Sequence, residues 1–119
     1  SDPLGGAWNM SLKKTSQSSF PMDIAGSQVA AVAVVKPGEA YCDSFLEMLV
    51  AQVDAFPEVD FFELDVQSAP SLAAQFNITA LPTLICWQNG KLQFAKVGLP
   101  PVEELVATLQ DLGTSRRAS

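Results

Sequence analysis

The side chains in this chain best suited to covalent chemistry are two cysteines, Cys42 and Cys86. Cys42 lies in "KPGEAYCDSF" (36–45), where an apolar run gives way to a helical pattern. A thiol at such a joint can draw on the positive end of the helix dipole and act as a thiolate nucleophile. Disulfide exchange also needs a second thiol to resolve the mixed disulfide, and no cysteine lies within three positions of Cys42. The chain contains no histidine, which removes Cys–His catalysis and most zinc sites together. Its acidic residues are scattered, so neither a calcium loop nor a carboxylate dyad is indicated. No glycine-rich phosphate loop is present. No metal and no cofactor is expected.

The elements around Cys42 follow from hydrophobic periodicity. "QVAAVAVV" (28–35) is a continuous apolar run, the pattern of a strand covered on both faces. From Cys42 to Phe56, apolar residues at Leu46, Leu49, Val50, Val53 and Phe56 predict an amphipathic helix that Pro57 ends. Asp43 near its start suits the dipole. "VDFFELDV" (59–66) predicts a second buried strand, and "SAPSLAAQF" (68–76) a short helix with Ser68 as N-cap and Pro70 in the first turn. "TLICWQ" (83–88), Asn89-Gly90 and "KLQFAKV" (91–97) form the strongest hairpin signal. Val102, Leu105, Val106 and Leu109 mark one face of a terminal helix. Upstream, "MSLKKT" suits a short edge strand, and Pro21 and Gly26 limit any helix in "SQSSFPMDIAGS" to about two turns. The order predicts an α/β fold with a mixed central sheet flanked by helices. Residues 1–9 are expected to be a loose arm, 10–112 the domain, and 113–119 a polar tail.

Composition narrows the setting. The 119 residues are 48% hydrophobic and 17% charged, as in a globular domain. A net charge of −6 disfavours nucleic acid and anionic membranes as partners. No apolar run approaches the roughly 20 residues that span a bilayer, and "SDPLGGAWNM" lacks the basic and apolar regions of a leader. Two cysteines do not suggest a secreted disulfide framework, so the cytoplasm is the expected compartment.

The element order, together with "ELDVQSAPSLAAQFNITALPTLICWQNGKLQFAKVG", resembles the thioredoxin family over about residues 28–112. Asp65, Leu81-Pro82-Thr83, Asn89-Gly90 and Val97-Gly98 hold the places of the family's recurring motifs. The resemblance implies a thioredoxin fold with a cis peptide before Pro82. It also implies a Trp-Cys-x-x-Cys motif at the joint, which is missing. If Cys42 stood for the first cysteine, Tyr41 would replace the Trp and Phe45 the second cysteine, and about three residues would have to be lost before Asp65. If Cys42 stands for the second, the 23 positions to Asp65 align without a gap. That register places Glu39 where the attacking cysteine would be, Gly38 at the Trp, Ala40-Tyr41 at Gly-Pro, and Ala33 at the family's buried acid. Cys86, four residues beyond Pro82 along a strand, would lie roughly 13 Å from the active-site end, beyond the ~7 Å Cα limit for a disulfide. It is expected to be a small buried hydrophobe.

"VVKPGEAYCDSFL", "AFPEVDF" and "LPTL" are similar to the thioredoxin-like domains of phosducin-like proteins, which use the fold for docking. The expected function is a non-catalytic protein-binding or co-chaperone module. The alternative is a monothiol thiol-disulfide oxidoreductase with Cys42 as its catalytic residue. A further reading makes the chain one unit of a larger protein. The resemblance implies a protein or extended-polypeptide partner, with the chaperonin or G-protein beta-gamma as examples. It places that partner against Glu39, Ala40, Tyr41, Leu81, Pro82, Gly98 and Leu99. The alternative reading has Tyr41 capping the core and Leu99 packing under the last helix. Two weaker patterns, the sequon "NIT" (77–79) and the terminal "RRAS" with Ser119 as a kinase acceptor, are expected to be inert.

Overall fold

The computed structural model describes residues 12–118; the loose arm expected at residues 1–9 and the acceptor Ser119 lie outside them. Strand β1 (Lys13–Lys14) is followed by helix α1 (Phe20–Ala25), β2 (Val29–Val35), α2 (Ala40–Val50) and β3 (Val59–Asp65). A 3-10 turn (Val66–Ser68), α3 (Pro70–Gln75), β4 (Thr83–Gln88), β5 (Lys91–Val97) and α4 (Val102–Ala118) complete the order. The strands form one sheet in the order β1-β3-β2-β4-β5. β2 pairs in parallel with β3 and antiparallel with β4. This is the mixed sheet of the thioredoxin fold.

All seven residues of β2 are buried, as its unbroken apolar run requires. Val29, Ala31, Ala33 and Val35 point into a core with Phe45, Leu49, Leu105 and Leu109, contributed by α2 and α4. Ala30, Val32 and Val34 point into the opposite core, with Phe20, Ile24 and Leu72 from α1 and α3. Trp87 meets the rings of Phe20 and Phe76 edge-on there, with centroids 5.3 and 5.6 Å away. The hairpin turn has Asn89 and Gly90 at φ 53° and 80°, the left-handed pair that matches strand twist.

Three helices differ at their boundaries from the sequence expectation. α2 begins at Ala40, because Glu39 caps it, and regular helix stops at Val50. Beyond it the chain tightens into three-residue turns, with Gln52, Val53 and Ala55 donating to Leu49, Val50 and Gln52. Val53 and Phe56 still reach the core from those turns, so the apolar spacing persists after the helix ends. Ser68 is not the N-cap of α3: its hydroxyl donates to the Asp65 carbonyl, and Ala69 holds the cap position with no side-chain bond. Gln17, 54 residues earlier in the chain, supplies that function by accepting from the Ser71 N–H at 2.7 Å. Finally, α4 continues to Ala118, through most of the stretch expected to be a tail.

Candidate functional site

Sheet register gathers the candidate residues on one edge. Val35 pairs with Asp65, Val34 with Thr83, and Thr83 with Val97. The β2–α2 joint, the Leu81-Pro82 step and the Gly98-Leu99 step therefore leave the sheet along the same rim. The Leu81–Pro82 peptide is cis. The Gly98 N–H donates to the Pro82 carbonyl at 2.8 Å, tying two of these loops directly together. Thr83, buried, donates its hydroxyl to the Ala80 carbonyl at 2.7 Å and fixes the approach to the proline.

The joint is held by two carboxylates. Glu39 is the N-cap of α2, and its Oε1 accepts from the Cys42 N–H at 3.0 Å. Asp43 reaches back from the first turn, its Oδ1 accepting from the Gly38 N–H at 3.1 Å. Gly38 has φ +92°, a backbone state that side chains resist. The chain itself thus satisfies the Cys42 N–H at the helix start and the Gly38 N–H just before it. The sequence identified Asp43 as a dipole partner but missed both bonds. An acid directly before the helix start, with a second one four positions on, was the available signal.

Cys42 has no exposed surface, and its Sγ accepts from the Lys36 N–H at 3.4 Å. Burial pushes its thiol up from the ordinary value, the Lys36 N–H opposes that, and the carboxylates of Glu39 and Asp43 push it up further. Cys86 lies in mid-strand between Ala31 and Phe94 and is pushed up to about 12 by burial, against the pull of Lys96. Both thiols are free. Neither environment favours a thiolate at neutral pH. Among the described residues, no group of three or more His, Cys, Asp or Glu side chains could hold a metal ion.

Around this joint the remaining candidates present mixed surfaces. Tyr41 is 65% exposed, so it does not cap the core. Ala40 is exposed, Glu39 and Gly98 are half-buried, and Pro82 is buried. Leu81, half-buried, packs against both cores. Leu99 is exposed beside a hollow of about 260 Å³ floored by Phe45, Leu84 and Leu105 and flanked by Lys96 and Glu104. Sequence reasoning did not find this hollow, since its walls come from three distant segments.

Comparison with known proteins follows the same line. A family model described as Thioredoxin matches residues 11–111. Thioredoxin H2 of Arabidopsis thaliana is 46% identical over 41 residues, 34% of this chain and 31% of that protein. A thioredoxin of Chlamydia muridarum is 34% identical over 65 residues, 55% of this chain and 64% of that one. The chain thus spans under two thirds of the length of these curated relatives. Among solved structures, mitochondrial thioredoxin 3 of Saccharomyces cerevisiae superposes with a TM-score of 0.76 at 22% identity, over 84% of this chain and 94% of that one. Plasmodium falciparum thioredoxin does so with a TM-score of 0.77 at 19% identity, over 84% and 98%. At those identities the structural likeness speaks for the fold.

Proposed function

Because the chain belongs to the thioredoxin family, we propose that it is a thioredoxin-like domain that holds an extended polypeptide at this rim without dithiol chemistry. The observation that carries the reading is the joint itself: a capping carboxylate precedes a fully buried Cys42 whose proton is held by burial and two nearby acids. A carboxylate cannot attack sulfur, and a protonated, enclosed thiol neither attacks nor resolves. Glu39, Ala40, Tyr41, Leu81, Pro82, Gly98 and Leu99 form the groove. The residue before Pro82 offers its backbone to a strand-like ligand, with Tyr41 as an aromatic anchor. The phosducin-like similarity adds a co-chaperone role in the cytoplasm, with the chaperonin or G-protein beta-gamma as partners to test.

A second reading has a specific observation in its favour. The relatives that match in sequence are named thioredoxins, which favours a monothiol oxidoreductase using Cys42 over a co-chaperone. Here the names and the geometry of the thiol pull apart. We weight the geometry, because it describes the atoms that would react. Peptide capture by wild type, Cys42→Ser and Leu81→Glu separates the two. The binding reading expects Cys42→Ser to capture as well as wild type and Leu81→Glu to fail. Loss of every activity in Cys42→Ser, with its fold intact by circular dichroism, would establish the monothiol instead.

A further inference from the structure

Strand β5 is the outer strand of the sheet beyond β4, and every residue in it except Phe94 is exposed. One row of its backbone groups pairs with β4, and the other has no strand beside it among the described residues. Its register puts Leu92, Ala95 and Val97 on the face shared with Trp87, Ile85 and Thr83. The core formed by α1 and α3 takes in Ile85 and Trp87 of β4 but none of these β5 residues. Leu92 and Val97 are accordingly 54% and 62% exposed. On the other face Lys96 stands opposite Leu84 at the wall of the 260 Å³ hollow. Charge singles out the same strand. β5 carries two of the five lysines of a chain with net charge −6, and no acid. Lys13 and Lys14 are paired with Asp60 and Glu63, whereas Lys36, Lys91 and Lys96 form no ion pair among the described residues, and two of those three lie on β5. Lys96 instead donates to the Thr108 hydroxyl and lies over the Phe94 ring.

We propose that β5 is a docking edge for an acidic, extended polypeptide, which adds as a further strand with its carboxylates toward Lys91 and Lys96. Its apolar side chains cover Leu92 and Val97 on one face, and its carboxylates meet Lys91 and Lys96 on the other. The lysines that deter indiscriminate edge pairing then select an acidic partner. A second copy of this chain complements the edge less well, because its own β5 brings the same two cations and no anion. This surface is separate from the groove at Tyr41 and Leu81, although Val97 leads into Gly98.

The test titrates the isotope-labelled full chain with two strand-forming peptides of roughly ten residues, alternating Val/Thr with either Glu or Lys, and follows amide shifts. The glutamate peptide is expected to move the amides of residues 91–97 and slow their exchange. Lys91→Glu with Lys96→Glu should weaken it roughly tenfold, and Lys91→Gln with Lys96→Gln replaces that variant if charge reversal disturbs the fold. The proposal is overturned if the glutamate peptide does not bind, if the lysine peptide binds as well, or if shifts appear only at Tyr41 and Leu81. Shifts at 91–97 that grow with protein concentration alone would overturn it in favour of self-association. Movement of β5 by the glutamate peptide alone, without any at Tyr41 and Leu81, upholds the edge as a surface apart from the groove.

Discussion

Substituting Glu39→Cys should build a reversible disulfide with Cys42. The Glu39 side chain already reaches the Cys42 backbone N–H at 3.0 Å, across the N-cap and first turn of α2, so a cysteine there would stand one helical turn before Cys42. Two opposing effects can be sized. Losing the cap costs about 1 kcal/mol in the reduced form. Closing a four-residue loop restricts the unfolded chain by ~2 kcal/mol in the entropic account. With an unfolding entropy of about 2.1 cal/mol/K per residue, 119 residues convert 1 kcal/mol to roughly 4 °C. The reduced variant should therefore melt ~4 °C below the parent, and the oxidised variant ~8 °C above its own reduced form. Melting in oxidised and reduced glutathione, with thiol counting by mass spectrometry, reads both shifts. Identical melting in the two buffers, with both thiols at the joint still open to alkylation, would refute the register that puts Cys42 in the second-cysteine place. It would favour the one that puts Phe45 there.

Three further outcomes are expected. Because the folded pKa of Cys86 is raised, its contribution is complete below the unfolded pKa near 9 and drains away as pH rises toward about 12. Between pH 8 and 10 the parent should lose about 1.4 kcal/mol more stability than Cys86→Ala; parallel urea midpoints would contradict this. Gln17→Ala removes the acceptor for the Ser71 N–H and should cost about 1 kcal/mol, with exchange of the α3 amides rising first. Trp87→Ala opens a cavity against Phe20 and Phe76 and should cost about 3–5 kcal/mol by denaturant unfolding; a loss under 1 kcal/mol would mean that core is not packed as described.

Much of the fold could be seen in the chain because local signals and burial agree. The unbroken apolar run at 28–35 is the fully buried β2, and Asn89-Gly90 sits where the hairpin turns. The resemblance also located the cis peptide before Pro82. What escaped depends on partners far apart in sequence or on choices between near-equal local states. Nothing near Ser68 reveals that Gln17 will cap α3. The spacing of Val53 and Phe56 is the same for a helix and for the tight turns that carry them. The rim could be listed by resemblance. That Asp43 would close it by bonding Gly38, and that Lys36 would meet the sulfur of Cys42, required the folded joint.

The central claim is that the joint binds without reacting, and the alkylation rate of each cysteine against pH in the folded protein tests it most directly. Mass spectrometry would resolve Cys42 from Cys86. The account predicts that Cys42 stays slow through neutral pH and reacts at the rate of global unfolding, as a buried thiol beside two carboxylates should. Rapid modification of Cys42 with an apparent pKa below ~8.5 would contradict it and make the thiol a nucleophile.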